Sequence, residues 1–299
     1  MPLTREHIDQ FVVERRLPES FRRIIDEHYL PLMAWIAERR QRAQLKILGI
    51  NGAQGTGKST AADFLRLGLE SAHDLQTAVL SIDDFYLTRA ERDALARDVH
   101  SLLATRGVPG THDVQLLTRC LDDILELRRR ETCRLPRFDK AEDDRADVAD
   151  WPTIEGPVDL IILEGWCVGS IAQTDAELEQ PVNDLERDED ADAQWRRYAN
   201  ERLREDYKPL FSRLDALIFI KAPDFESVYR WRLEQEQKLA ETARPDAPGI
   251  MNASQIARFI QFYERITRNN LRLLENTADV VIELDRGHRC IGSRYTPRR

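Results

Sequence analysis

Cysteine is scarce in this chain of 299 residues, and its four cysteines follow no metal-binding or disulfide pattern. Cys120, Cys133, Cys167 and Cys290 show neither CxxC spacing nor a Cys/His cluster, which indicates a reducing compartment and no zinc site. The first ten residues are polar, and the longest apolar runs have only the length of a strand. We therefore expect neither a signal peptide nor a membrane span.

Basic charge is also in short supply, because 44 Lys and Arg stand against 53 Asp and Glu and leave a formal net charge of −9. Proteins that bind nucleic acid or anionic membranes in general usually present a basic surface, so we expect neither partner. The composition, 42% apolar and 32% charged, is typical of a soluble globular protein, which we expect in the cytoplasm.

Strand-like and helix-like segments alternate along most of the chain. Apolar runs of strand length, separated by helical patterns, occur at residues 45–50, 77–82, 158–163, 216–220 and 280–284. The clearest helical patterns cover residues 58–70, 114–130, 225–241 and 254–276. This alternation predicts an α/β fold with a mostly parallel sheet flanked by helices on both faces.

Residues 1–44 are predicted to form a helical extension that precedes the main domain at 45–299. Its apolar residues have helical spacing, and Pro18 and Pro31 are expected to divide it into two or three short helices. The extension could cover the sheet edge or form the surface of a homodimer. Exposed loops are predicted at 139–157, 173–194 and 245–249.

A phosphate-binding motif follows the first predicted strand. Residues 52–59 read GAQGTGKS, which matches G-x-x-x-x-G-K-S in the strand–loop–helix context that this motif requires. Its amides and the helix N-terminus can hold phosphates, Lys58 can reach the β- and γ-phosphates, and Ser59 offers a hydroxyl to Mg²⁺. The predicted nucleotide-binding residues are Gly52, Ala53, Gln54, Gly55, Thr56, Gly57, Lys58, Ser59 and Thr60.

Carboxylates end two of the other predicted strands. Asp83 and Asp84 end the second strand, and because successive residues of an extended chain face opposite ways, only one should point at the γ-phosphate. We predict that Asp83 accepts the proton of an attacking hydroxyl; the alternatives are Asp84 or a role in capping a turn. Glu164 ends the strand LIILEG and is predicted to bind Mg²⁺, unless it is simply an acid in a turn.

These motifs together resemble the P-loop kinases that include uridine kinase, phosphoribulokinase and pantothenate kinase. No N-K-x-D segment is present for guanine recognition, which disfavours a GTPase. Within the group, the likeness is greatest to the plant-type D-glycerate 3-kinase family and its bacterial and fungal relatives, and it runs from about residue 45 to residue 284. The segments that carry it read SIDDFY at 81–86, RGVPGTHD at 106–113, PRFDK at 136–140, LEGW at 163–166 and WRLEQE at 231–236.

The resemblance implies an ATP- and Mg²⁺-dependent kinase domain at 45–299, with Asp83 as the base and Glu164 as the support for Mg²⁺. It also implies that the acceptor lies near Tyr86 and the 106–113 segment. The residues assigned to the acceptor there are Asp83, Tyr86, Arg106, His112 and Asp113. His112 could equally be a loop histidine that is hydrogen-bonded to the backbone.

Arg137 and Lys140 could bind an acceptor carboxylate, because Arg offers a planar pair of donors and Lys a point charge. The alternative is a solvated loop. Such kinases close a lid over the phosphoryl group, and we predict this lid at residues 224–250. Arg230 and Arg232 are its candidate catalytic arginines, of which at most one can point inward, unless both simply pair with acids on a surface helix.

The leading hypothesis is therefore a kinase that phosphorylates a hydroxyl of a small acid, with D-glycerate at its 3-position as the expected acceptor. One alternative keeps the kinase and changes the acceptor to a nucleoside, a pantothenate-like molecule or a sugar. Another is a nucleotide-dependent regulatory ATPase, which would hydrolyse ATP without an acceptor.

Overall fold

A computed structural model describes residues 3–42, 44–242 and 251–296 of the chain. Its strands are β1 Ile47–Gly52, β2 Thr77–Ser81, β3 Thr132–Arg134, β4 Phe138–Asp139, β5 Asp144–Arg145, β6 Thr153–Glu155, β7 Leu160–Gly165, β8 Ala216–Lys221, β9 Val280–Leu284 and β10 Cys290–Tyr295. Its α-helices are α1 Arg5–Glu14, α2 Phe21–Ile24, α3 Leu30–Gln41, α4 Lys58–His73, α5 Arg89–Asp98, α6 Val114–Glu126, α7 Asp184–Glu189, α8 Gln194–Arg202, α9 Lys208–Phe211, α10 Phe225–Thr242 and α11 Ala253–Thr277.

A six-stranded sheet in the order β10-β9-β8-β1-β7-β2 forms the centre of the fold. All neighbouring strands in it are parallel except β10, which is antiparallel to β9. Every residue of β7 is buried, which is why this strand reads as an apolar run. The predicted α/β fold with a mostly parallel sheet is confirmed. The edge strand β10 was missed because its exposed and half-buried residues form no apolar run.

The amino-terminal helices pack against α4, which follows the phosphate-binding loop. Phe11 and Tyr29 place their rings 5.2 and 5.8 Å from the ring of Phe64. The predicted break at Pro31 is wrong, because helical structure runs without interruption from α2 into α3 through a π-helical turn at Ile25–Tyr29. This wider turn ends two residues before Pro31 and contains Glu27, the residue whose carbonyl would pair with the amide that the proline lacks in an α-helix.

The predicted exposed loop at 139–157 contains short regular structure. β4 pairs with β5 and β3 pairs with β6, so two antiparallel ribbons replace part of the expected loop. Strands of two and three residues are too short to show an alternating pattern in the sequence. In one ribbon, β4–β5, the strand β4 lies between Arg137 and Lys140, the two cations that were predicted to bind an acceptor carboxylate.

Most residues of 173–194 are exposed as predicted, but the segment is not a continuous loop, because it contains a 3₁₀ turn at Asp175–Leu178 and the helix α7. Glu186 and Asp190 are fully buried, where they pair with Arg265 of α11 and Arg196 of α8. The segment is acidic because two of its carboxylates meet arginines from other helices, a partnership that local composition does not reveal. These buried ion pairs hold the segment against helices α8 and α11.

Two further features concern the carboxyl-terminal half. The predicted loop at 245–249, and with it the end of the predicted lid, lies outside the described residues. Across the ranges that the structure describes, no helix is long and apolar enough to cross a lipid bilayer.

The buried Glu186–Arg265 pair gives a first testable prediction. Both Glu186 oxygens accept from Arg265, at 2.7 and 2.6 Å. Glu186→Ala would leave the buried guanidinium without its carboxylate partner, although carbonyl acceptors remain, so we expect the free energy of unfolding in urea to fall by about 3–5 kcal/mol.

The matched control for this prediction is Glu189→Ala. Glu189 accepts two hydrogen bonds from Arg258 on the same pair of helices, but this ion pair is exposed to solvent. Its loss should cost at most about 1 kcal/mol. Equal losses in the two variants would contradict the special weight that we give to the buried pair.

Candidate active site

The loop between β1 and α4 has the shape needed to surround a phosphate. Gly55 and Gly57 adopt positive φ angles of 79° and 85°, which residues with a Cβ rarely adopt. Gly57 directly precedes α4, so the first amides of that helix face the loop. The hydroxyl of Thr56 donates to the carbonyl of Ala53 over 2.9 Å and braces the turn. The geometry thus agrees with the phosphate-binding motif in the sequence.

Ser59 and Glu164 meet beside this loop. The Ser59 hydroxyl donates to Glu164 Oε1 over 2.8 Å, while the buried Oε2 has no hydrogen-bond partner among the described residues. Burial raises the pKa of Glu164, and the positive charge of Lys58 opposes this rise. A hydroxyl and a buried carboxylate oxygen without a partner are ligands of the kind that Mg²⁺ prefers. The residues present therefore fit this ion.

Asp83 and Asp84 lie on a 3₁₀ turn, Ile82–Phe85, instead of on an extended strand. The premise that they alternate as in a strand was therefore wrong, but they still face different partners. Asp83 accepts a hydrogen bond from the Tyr86 hydroxyl over 2.9 Å. Asp84 accepts from the amide of Phe138 over 3.3 Å, a contact that ties the turn to the β4–β5 ribbon.

Two cations from the ribbon segment reach these carboxylates. Lys140 Nζ donates to Asp83 Oδ2 over 2.9 Å, and Arg137 Nη1 lies 3.5 Å from Asp84 Oδ2. Burial by itself raises the pKa of Asp83, but Lys140 and Lys58 outweigh it and lower this pKa to about 2. Asp83 is therefore an ionised carboxylate at neutral pH, as a proton acceptor must be.

The 106–113 segment lies behind this turn. Asp113 donates its amide hydrogen to the carbonyl of Phe85, and the ring of His112 stacks on that of Tyr86 at 4.6 Å. The Asp113 carboxylate caps α6 and lies 3.3 Å from Arg145 Nη2, while Arg106 forms an ion pair with Asp143. Arg106 and Asp113, which were predicted to bind the acceptor, thus already pair with other residues of the protein.

The helix α10 packs against the phosphate loop. Trp231 packs on Gly55, and Arg232 is largely buried, with an ion pair to Glu236 at 2.6 Å. Arg230 is exposed. Of the two candidate lid arginines, Arg232 faces the interior.

A cleft of about 1050 Å³ opens in front of the carboxylates. It is bordered by Ser59, Asp83, Asp84, Arg137, Lys140 and Glu164, among other residues. The cleft therefore joins the predicted metal ligands, the predicted base and the two cations that were assigned to an acceptor carboxylate. Tyr86, Arg106, His112 and Asp113 are not among its lining residues and form the layer behind Asp83.

Sequence reasoning missed several residues of this layer. Tyr207 is buried, and its hydroxyl oxygen lies 2.7 Å from His112 Nδ1. Asp143 forms ion pairs with both Arg92 and Arg106. No local pattern identifies Tyr207, because 95 residues separate it from its partner. The opposite charges of Arg145 and Asp113 permit an ion pair, but the sequence does not show that these two residues meet.

Comparisons with known proteins agree with this geometry. No protein-family model matches the chain. The uncharacterized kinase mug58 of Schizosaccharomyces pombe is 30% identical over 255 residues, an alignment that covers 80% of this chain and 88% of that protein. The chain belongs to the P-loop kinases.

Two further relatives extend the comparison. The chloroplastic D-glycerate 3-kinase of Arabidopsis thaliana is 30% identical over 264 residues, which are 79% of this kinase and 52% of that protein. The kinase thus spans about half the length of the plant protein. The structure of D-glycerate 3-kinase from Cryptococcus neoformans superposes with a TM-score of 0.74, over 90% of this kinase and 99% of that chain at 24% identity, and shows the same fold.

The resemblance to the D-glycerate 3-kinases is thereby confirmed. This chain is a kinase. The roles of the individual site residues stay predictions.

The contact between the phosphate loop and α10 gives a second testable prediction. A Cβ on Gly55 would lie 3.1 Å from Trp231 Cβ, whereas a Cβ on Gly57 would meet no atom within 4 Å. Each Gly→Ala change strains a left-handed backbone by roughly 1–2 kcal/mol. Only Gly55→Ala should also displace α10.

We therefore expect Gly55→Ala to lower the free energy of unfolding more than Gly57→Ala does. It should also alter the tryptophan fluorescence of the folded protein without nucleotide. Indistinguishable unfolding curves and spectra for the two variants would show that α10 does not rest on the loop in solution.

Proposed function

We propose that this kinase transfers the γ-phosphoryl group of ATP to the 3-hydroxyl of D-glycerate. The observation that carries the proposal is the cleft that brings Asp83 together with Ser59, Glu164, Arg137 and Lys140. An acceptor for this cleft must offer a hydroxyl to Asp83, and an acidic acceptor would find cations next to it. D-Glycerate meets both conditions, and the plant and fungal relatives bear its name.

The reaction follows from the chemistry of these groups. Asp83 accepts the proton of the acceptor hydroxyl as its oxygen bonds to the γ-phosphorus, and the bond from that phosphorus to the bridging oxygen breaks to release ADP. Lys58 and the loop amides hold the phosphates in line for this displacement. Ser59 and Glu164 would hold Mg²⁺, which neutralises phosphate charge when it is bound. Arg232, which is largely buried on α10 and paired with Glu236, is our candidate for stabilising the transferring group.

Arg137 and Lys140, which flank β4, are the reason that we propose an acid as the acceptor instead of a neutral alcohol. The Lys140 and Arg137 side chains are more than half exposed, so they can turn towards a ligand without breaking buried contacts. A carboxylate of the acceptor would compete with Asp83 for the ammonium group of Lys140. Glycerol has no carboxylate and would leave that ion pair intact.

An acceptor panel tests the proposal. We expect D-glycerate to stimulate release of ADP from ATP, while glycerol, uridine and pantothenate do not, and ³¹P NMR should identify 3-phosphoglycerate as the product. Asp83→Asn should lower turnover by about 10²–10⁴ with little change in ATP binding, because a general base is lost. Asp84→Asn, the neighbouring carboxylate, is the control and should retain most of the activity.

Two results of the panel would overturn the assignment. Stimulation by another acceptor but not by D-glycerate would replace the substrate. Hydrolysis of ATP that needs no acceptor and survives Asp83→Asn would replace the kinase reaction with a regulatory ATPase.

Lys140→Met provides a pH-dependent prediction. Loss of this cation leaves burial opposed mainly by Lys58, so the pKa of Asp83 should rise from about 2. A base must be unprotonated to act, and therefore the acid limb of the kcat/KM profile should move to higher pH. The KM for D-glycerate should rise about 10-fold if Lys140 also binds its carboxylate.

Lys208→Met removes an exposed lysine of α9 and serves as the control, with an unchanged profile. An acid limb at the same pH in Lys140→Met and the wild type would show that Lys140 does not set the charge state of the base.

A further inference from the structure

His112 and Tyr207 form a buried pair behind the proposed base. Tyr207 ends a π-helical turn, Leu203–Tyr207, and is fully inaccessible to solvent, while His112 is 5% exposed. Tyr207 Oη lies 2.7 Å from His112 Nδ1. Since neither group reaches water, the direction of the hydrogen bond between them is determined by their other partners.

The second partner of Tyr207 decides this direction. The amide of Gly110 donates to Tyr207 Oη over 3.0 Å, so the phenol oxygen acts as an acceptor there. The one hydrogen of the phenol has no acceptor other than His112 Nδ1 among the described residues, so it pairs with Nδ1; the opposite direction would leave this hydrogen buried and unpaired. Burial lowers the pKa of His112 to about 4, so the ring is neutral at pH 7 and its single hydrogen lies on Nε2.

This Nε2–H group is an unused donor. Nε2 is buried and has no hydrogen-bond partner among the described residues. A buried donor without a partner is costly, and in an enzyme it often marks a group that a ligand completes. The imidazole stacks on Tyr86, whose hydroxyl donates to Asp83, and the charge of Asp83 acts on His112.

We propose that Tyr207 is a positioning residue that fixes His112 as the Nε2–H tautomer, so that Nε2 holds a neutral hydrogen-bond donor in the layer behind Asp83 for an oxygen of the acceptor. A neutral donor suits this place, because an imidazolium there would pair with Asp83 and weaken it as a base. The hydrogen bond from Nε2 to the acceptor rests on the proposed function, whereas the tautomer of His112 does not.

The tautomer can be tested without any substrate. In ¹⁵N-labelled protein at pH 7, we expect the His112 Nδ1 signal to lie in the region of unprotonated ring nitrogens and the Nε2 signal in the protonated region, with His112→Gln used for assignment. Tyr207→Phe should disturb this pattern because Nδ1 loses its donor. An Nδ1–H tautomer or an imidazolium in the wild type would overturn the proposal, whichever acceptor the kinase uses.

Kinetics test the link to the acceptor. Tyr207→Phe should lower kcat/KM for the acceptor by roughly 10-fold, the effect of about one hydrogen bond, with KM for ATP unchanged. Tyr29→Phe removes the hydroxyl of another buried tyrosine, which packs on Phe64, and should leave both constants as in the wild type. Equal effects of the two changes would reduce Tyr207 to a packing residue.

Two substitutions of His112 itself separate its nitrogens. Gln can place an amide N–H near the position of Nε2, whereas the shorter Asn reaches only the position of Nδ1. We expect His112→Gln to retain more acceptor-dependent activity than His112→Asn, and the reverse order would contradict a donor at Nε2. If D-glycerate proves not to be the acceptor, the same comparison is made with the acceptor that the panel identifies.

Discussion

The site depends on the insertion of β7 between β1 and β2. In this parallel register Glu164 lies opposite Ile50 of β1 on one side and Ser81 of β2 on the other. The phosphate loop follows β1 and the two aspartates follow β2, so the acid on β7 necessarily lies between them. A register shift of one residue would turn Glu164 to the other face of the sheet and separate it from Ser59.

Burial gives the polar groups at this edge their different properties. Glu164 loses solvent and keeps one unsatisfied oxygen, which suits a residue that meets a cation. Asp83 has two lysines within reach and remains charged, which suits a base. Two carboxylates, one on β7 and one on the turn that follows β2, thus acquire opposite pKa shifts from their surroundings, and the roles that we propose for them rest on that difference.

A set of ion pairs holds the layer behind the base. Arg106 and the nearly inaccessible Arg92 both pair with Asp143, and Arg145 pairs with Asp113. These contacts join the 106–113 segment to the β4–β5 ribbon that carries Lys140. Residues that the family resemblance places near the acceptor therefore also have structural contacts of their own, as Asp113 does when it caps α6.

Local sequence determined the parallel sheet, the phosphate loop and the acids that follow β2 and end β7, because apolar runs, glycine spacing and the lengths of helices and strands are set by neighbouring residues. It failed where a side chain finds its partner only through folding, whether that partner is near in sequence, as Arg196 is to Asp190, or far away. The acidic 173–194 segment was read as solvated although Arg196 and Arg265 neutralise Asp190 and Glu186, and Tyr207 carried no signal at all. Only the tertiary structure decided which of Arg230 and Arg232 is buried and that a tyrosine orients His112, since both depend on contacts between elements that the chain brings together only on folding.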